Sequence, residues 1–161
     1  MSVFKNKLTL IGVLIFSIFA LIAAYYLQYV LGYQPCNLCL IERIPYFISI
    51  ILIFLIFILD KYKKIITIIV GLLFMFGAFI SFYHFGIEQG FFNESLVCNL
   101  SSLESTISTR DLLKELEEKT ISCKDVAFTF FGLSLATFNT IISFGISVII
   151  LSRIVNYEKN K

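Results

Sequence analysis

Charged side chains are scarce in this sequence: Asp, Glu, Lys and Arg make up 15% of its 161 residues, against 58% hydrophobic residues. A soluble domain of this length carries about a quarter of its residues charged, so that class is excluded and a lipid bilayer is the solvent to consider. There is a single histidine, His84, and there are only two prolines, Pro35 and Pro45. No glycine loop of the phosphate-binding kind, no internal repeat and no low-complexity tract occurs. The small net charge of +2 gives no reason to expect nucleic-acid binding.

What is present is apolar length. Four runs contain no Asp, Glu, Lys or Arg: Leu8 to Leu31, Ile44 to Leu59, Ile65 to Ile87 and Val126 to Ser152. A spanning helix needs about 20 mostly apolar residues, so the second run, between Arg43 and Asp60, must start at the interface. In hydrocarbon a helix satisfies its own backbone, which makes these Ile-, Val- and Phe-rich runs helical despite their strand preference. The 18 phenylalanines are read as lipid-facing or packing residues. The expectation is an all-α membrane protein, a four-transmembrane-helix bundle in one domain spanning 1–161. Its helices fall at about 8–31, 42–59, 65–87 and 128–152, with loops at 32–41 and 88–127. The first run could also be a secretory signal, with Lys5 and Lys7 ahead of it and Ala20, Ala23 and Ala24 within it. It continues to Leu31, past the roughly 15 residues of a signal core, and is kept as the first helix.

Four crossings put both termini on the side of the 60–64 loop. Lys5, Lys7, Lys61, Lys63, Lys64, Arg153, Lys159 and Lys161 lie there, against Asp60 and Glu158, so the positive-inside rule makes that side cytoplasmic. The opposite side receives an acidic long loop and all four cysteines, Cys36, Cys39, Cys98 and Cys123. Cysteines confined to the outer side match an oxidising compartment. Four cysteines allow three pairings; the nearness of Cys36 to Cys39 favours Cys36 with Cys39 and Cys98 with Cys123, without proving it.

Cys36-Asn-Leu-Cys39 is a Cys-x-x-Cys at the start of a helix, where the helix dipole lowers a thiol pKa and eases redox cycling. Arg43, four residues after Cys39, is placed to hold a thiolate or a polar ligand group at the interface. An inert staple is the bland alternative, but so small a loop stabilises little by chain entropy. Zinc held by all four cysteines is disfavoured, because Cys98 and Cys123 have 24 residues between them and form no second short-spaced knuckle. No metal is expected. In the second loop, 108–119 reads as a surface helix capped by Ser108, with Leu112, Leu113 and Leu116 on one side. A Cys98–Cys123 disulfide there is expected to be accessible to an incoming thiolate. His84, near the outward end of the third run, reads equally as a functional ionisable group or an inert interfacial contact.

Taken together, Gln34-Pro-Cys-Asn-Leu-Cys with Glu42-Arg43, then Tyr83-His84 with Gly86-Ile-Glu-Gln-Gly, two loop cysteines, and Phe131-Gly-Leu-Ser-Leu-Ala with Asn139 resembles the DsbB family over nearly the whole chain. The resemblance implies a bacterial inner-membrane enzyme, a protein-dithiol:quinone oxidoreductase with its cysteine loops in the periplasm. Such an enzyme reoxidises a periplasmic DsbA-like thioredoxin-fold protein and passes two electrons to a membrane quinone, ubiquinone or menaquinone. By motif position, Cys98 would form the mixed disulfide with the partner and Cys123 would complete that pair. Cys36 and Cys39 would relay electrons, and Arg43 would hold the quinone oxygen, with Glu42 and His84 as further quinone contacts. A DsbA-like partner sits near about −120 mV, so only an acceptor of higher potential can recharge it. The stretch 101–120 matches no motif of the family.

Two other readings differ in class. A vitamin K epoxide reductase-like protein also surrounds a quinone-like substrate with helices, but its loop cysteines precede its Cys-x-x-Cys, the reverse of the order here. A non-enzymatic scaffold or transporter subunit should carry a polar pathway, whereas apart from His84 the runs hold only scattered Ser, Thr, Asn and Gln.

Overall fold

The structure, a computed structural model, describes residues 2–93, 98, 122–124, 128–130 and 132–159. The expected helix at 108–119 lies outside the described residues. Within them the order is α1 (Ser2–Tyr29), α2 (Asn37–Ile41), α3 (Ile44–Ile58), a 3-10 turn (Asp60–Tyr62), α4 (Lys63–Glu88), β1 (Thr129–Phe130), β2 (Leu133–Ser134) and α5 (Leu135–Lys159). Four stretches are long and apolar enough to cross a membrane: Leu8–Tyr29, Asn37–Ile58, Lys63–Glu88 and Leu135–Asn156. The protein is thus a mostly helical, four-span bundle.

Two details depart from the expected boundaries. The last helix starts at Leu135, because β1 and β2 pair antiparallel just before it, with Gly132 at φ +79° in the connection. Only glycine takes that left-handed backbone at little cost. The second span is broken: α2 ends at Ile41, Arg43 N–H turns back to the Leu40 carbonyl, and α3 restarts with Pro45 in its first turn. Proline has no N–H to give, and the first turn is where none is needed.

The helices form a ring in which α1 packs on α3, α3 on α4, α4 on α5 and α5 on α1. The α4–α5 contact is the most extensive. Polarity is arranged inside out. Phe19, Phe47, Phe54, Phe76, Phe79, Phe82 and Phe144 point outward, while Ser17, Ser49, Ser81, Ser143 and Ser147 are buried between helices. Lipid tails make an exposed phenylalanine harmless, and small hydroxyl side chains let helices approach and bond to one another. Ser17 and Ser49 share a hydrogen bond at 3.2 Å between α1 and α3, and Ser147 donates to the Gly71 carbonyl at 2.9 Å between α5 and α4. One apolar core, including Val13, Tyr46, Ile53, Val70, Phe74 and Ile150, fills the middle of the bundle.

A methyl group on Gly71 would stand 3.1 Å from Leu151 Cδ2 and 3.2 Å from Ile150 Cγ2, whereas one on Gly145 meets nothing. Gly71→Val should therefore destabilise the protein in detergent by about 1–3 kcal/mol through overpacking. Gly145→Ala should leave stability unchanged or raise it by up to about 1 kcal/mol. Thermal unfolding of the two variants side by side checks the packing of α4 on α5.

Candidate redox site

Cys36 is the N-cap of α2, and its Sγ accepts the Cys39 backbone N–H at 3.2 Å. A cap sulfur three residues before its partner places the two side chains together: the Sγ atoms are 2.6 Å apart and unbonded. Cys36 is buried and Cys39 half-buried. From α4, His84 brings Nε2 to 3.5 Å from Cys36 Sγ. Its Nδ1 lies 2.7 Å from Oε1 of Glu42, in the α2–α3 break. A carboxylate can only accept, so Nδ1 carries the proton and Nε2 faces the thiol.

Behind Glu42 stands a residue to which sequence reasoning assigned no role. Asn139 of α5 donates through Nδ2 to Glu42 Oε2 at 2.9 Å and to Ser81 at 2.6 Å. Its Oδ1 accepts from the Tyr46 hydroxyl and from Ser143 at 3.2 Å. All four hydrogen-bonding positions of the amide are used, so it is locked in orientation. The result is a buried chain of contacts, Cys36–His84–Glu42–Asn139–Tyr46, drawn from α2, α4, the α2–α3 break, α5 and α3. A sequence can place Asn139 in a motif, but it cannot say that its amide meets a carboxylate 97 positions away.

Glu88, one turn after His84, completes the surroundings. Its Oε1 is 3.8 Å from His84 Nε2, its side chain is 6% exposed, and its Oε2 has no hydrogen-bond partner among the described residues. Arg43 goes elsewhere. The break in the second span turns its side chain to α1, where it donates to Gln28 Oε1 at 2.6 Å and stands 5.2 Å from the centre of the Tyr25 ring. Of the three residues expected to contact quinone, Glu42 and His84 are thus brought together, and the described contacts of Arg43 lie with α1.

Cys98 and Cys123 form a disulfide. It is not accessible, in contrast to the expectation for a long loop: Cys98 is 4% and Cys123 1% exposed. The physical reason is apolar packing, since both sulfurs belong to one cluster with Cys36, Leu38 and Ile87, flanked by Cys39, Ile80 and Tyr83. The two cysteine pairs therefore share one buried end of the bundle.

The Cys36 thiol is pulled down to about 5 from the ordinary 9.0, first by the hydrogen bond from Cys39, then, against the opposing effect of burial, by the hydrogen bond and charge of His84. The thiolate is the attacking form, so reactivity follows its population.

A spanning bundle with a buried dithiol, a disulfide packed on it and a histidine–carboxylate pair behind it defines a multi-pass membrane protein of thiol–disulfide chemistry. The family described as disulfide bond formation protein DsbB matches residues 6–152. The chain belongs to the DsbB family, and so to the membrane oxidoreductases of disulfide bond formation. It is 27% identical over 146 residues to an uncharacterized protein of Rickettsia prowazekii (strain Madrid E), a match covering 89% of this chain and 84% of that protein. No solved structure matches.

In the reduced protein, the rate of Cys36 alkylation by iodoacetamide should rise with pH to a midpoint near 5 and then level off. His84→Gln removes two of the lowering influences and should move the midpoint upward. A midpoint near 9.0 in the unsubstituted protein would contradict the assigned environment.

Proposed function

We propose that this protein reoxidises a periplasmic DsbA-like thioredoxin-fold protein and delivers the electrons to a membrane quinone, ubiquinone or menaquinone. Supporting this above all is the single cluster that holds both cysteine pairs, because exchange between them needs the sulfurs to meet. In the proposed cycle a partner thiolate attacks Cys98, the Cys98–Cys123 bond breaks, and Cys123 leaves as a thiolate. The partner's second thiolate then displaces Cys98, so the partner leaves oxidised and Cys98 and Cys123 are reduced. Cys123 next attacks the Cys36–Cys39 disulfide, and Cys98 closes the exchange, which moves the electron pair to Cys36 and Cys39. Attack on Cys98 requires its segment to lift from Leu38 and Ile87, and removing apolar cover from those side chains opposes lifting until a partner supplies cover of its own.

Arg43, Gln28 and Tyr25 suit a quinone: a cation and an amide for its oxygens, and an aromatic face for its ring, at the foot of α1. A bound quinone supplies a two-electron, two-proton acceptor. The protein's own part is to hold Cys36 ready to lose its proton to His84, with Glu42 fixing the imidazole and Asn139 fixing Glu42. The basic residues of the 60–64 loop and the chain ends support termini on the cytoplasmic side of the inner membrane and cysteines on the periplasmic side.

Quinone reduction by the purified protein in detergent, driven by a reduced DsbA-like protein, tests this reading. Turnover should be lost in both Cys36→Ser and Cys98→Ser, while Cys36→Ser still traps the partner through Cys98. Arg43→Ala should leave the disulfides intact and weaken quinone use by about tenfold or more, the loss of a charge-assisted contact of about 1.5–3 kcal/mol. Absence of turnover with every quinone and thiol partner would refute the proposal.

A further inference from the structure

We propose that the reduced Cys36–Cys39 pair, with His84 and Glu88, forms a binding site for a d10 divalent cation of the zinc type, and that occupancy of this site arrests the thiols. The proposal deepens the redox reading and rests on it in one respect, that the pair spends part of its cycle as a dithiol.

The donor set differs from the four-cysteine site that the sequence argues against. The ligand atoms of Cys36, Cys39 and His84 all lie within 4.8 Å of one another. The Cys36 Sγ–His84 Nε2 distance of 3.5 Å and the His84 Nε2–Glu88 Oε1 distance of 3.8 Å compare with ligand–ligand spacings of about 3.3–3.8 Å around a tetrahedral zinc. The sulfurs must part, from 2.6 Å, with Cys39, the less buried of the two, free to turn, and Glu88, which stands outside that group of three, must swing toward them from its place beside His84.

Two observations point to a cation rather than to a bare dithiol. Glu88 Oε2 is buried and has no hydrogen-bond partner among the described residues, a costly condition that a bound cation would relieve. His84 is also oriented as zinc-ligating histidines are: Nδ1 is committed to a carboxylate, Glu42, and Nε2 faces the sulfurs. Asn139 holds that carboxylate in place in turn. Two thiolates, one imidazole and one carboxylate form a closed, four-ligand set of the kind zinc accepts.

Binding moves no electrons. Two S–metal bonds form as two protons leave to solvent, one from the Cys39 thiol and one that Cys36 and His84 Nε2 share, so the total charge within the site is unchanged as the dication enters. With both sulfurs engaged, neither can attack a disulfide. Oxidation of the pair to a disulfide by the quinone of the proposed cycle removes both thiolate ligands and releases the ion. The site would therefore be read out by the redox state of the chain.

The full-length chain carrying Cys98→Ser and Cys123→Ser, which leaves Cys36 and Cys39 as its only thiols, is reduced in detergent and titrated anaerobically with Cd2+, following the sulfur-to-cadmium charge-transfer absorbance. Zn2+ is then used to displace the cadmium. The expected result is one ion per reduced chain, and none after the same chain has been oxidised to the Cys36–Cys39 disulfide. His84→Gln and Glu88→Gln should each weaken binding by at least about tenfold, and Glu42→Gln by about 10–100-fold through its hold on His84. Comparing the reduced and oxidised states of one chain requires no further substitution and so does not depend on how those variants fold. No binding by the reduced chain, or equal affinity in the His84→Gln and Glu88→Gln chains, would overturn the proposal. The titration contains neither quinone nor thiol partner, so its failure is separate from a failure of electron transfer.

Discussion

A carboxylate buried among apolar helices is costly unless its oxygens are bonded, and at Glu42 this bundle bonds both of them. It is 8% exposed, and its two oxygens are bonded by His84 from α4 and Asn139 from α5. Leaving either oxygen unanswered at such a site costs several kcal/mol. The α2–α3 break, the end of α4 and the start of α5 are consequently tied to one point. Satisfying Glu42 also fixes the imidazole that faces Cys36. Stability and chemistry therefore share the same contacts here, and neither can be altered alone.

The same requirement explains the broken second span. An unbroken helix from Asn37 to Ile58 would carry Glu42 and Arg43 past each other on a regular screw. The turn at Arg43 lets these adjacent residues part instead, Glu42 inward to α4 and α5, Arg43 to Gln28 and Tyr25 of α1. One break thereby produces two polar stations, one at the sulfurs and one facing α1.

Burial of the Cys98–Cys123 disulfide changes what the second loop does. An exposed disulfide would be open to any thiol in solution. A disulfide packed on Leu38, Ile87 and Cys36 is guarded by apolar area, and in the proposed cycle a partner must displace it by offering contacts of its own. In that cycle a protein thiol is favoured over small thiols, because a small molecule brings too little surface to replace that packing.

From the residues alone one could read four spans, the Cys-x-x-Cys and the family, because each depends on local composition or on short spacing. Charge-free runs announce helices in lipid, and Cys36 and Cys39 are neighbours in any fold. The helix boundary at Leu135 was less legible, since Val126 to Ser152 is apolar throughout and only Gly132 hints at the hairpin within it. Only the tertiary structure decided which way Arg43 and Glu42 turn, that His84 stands beside Cys36, and that Asn139 and Glu88 lie next to Glu42 and His84. Those facts depend on helix rotation and on the register of α4 against α5. Where the outward face meets only lipid, sequence periodicity barely registers rotation; the few polar side chains between the helices set it by finding one another.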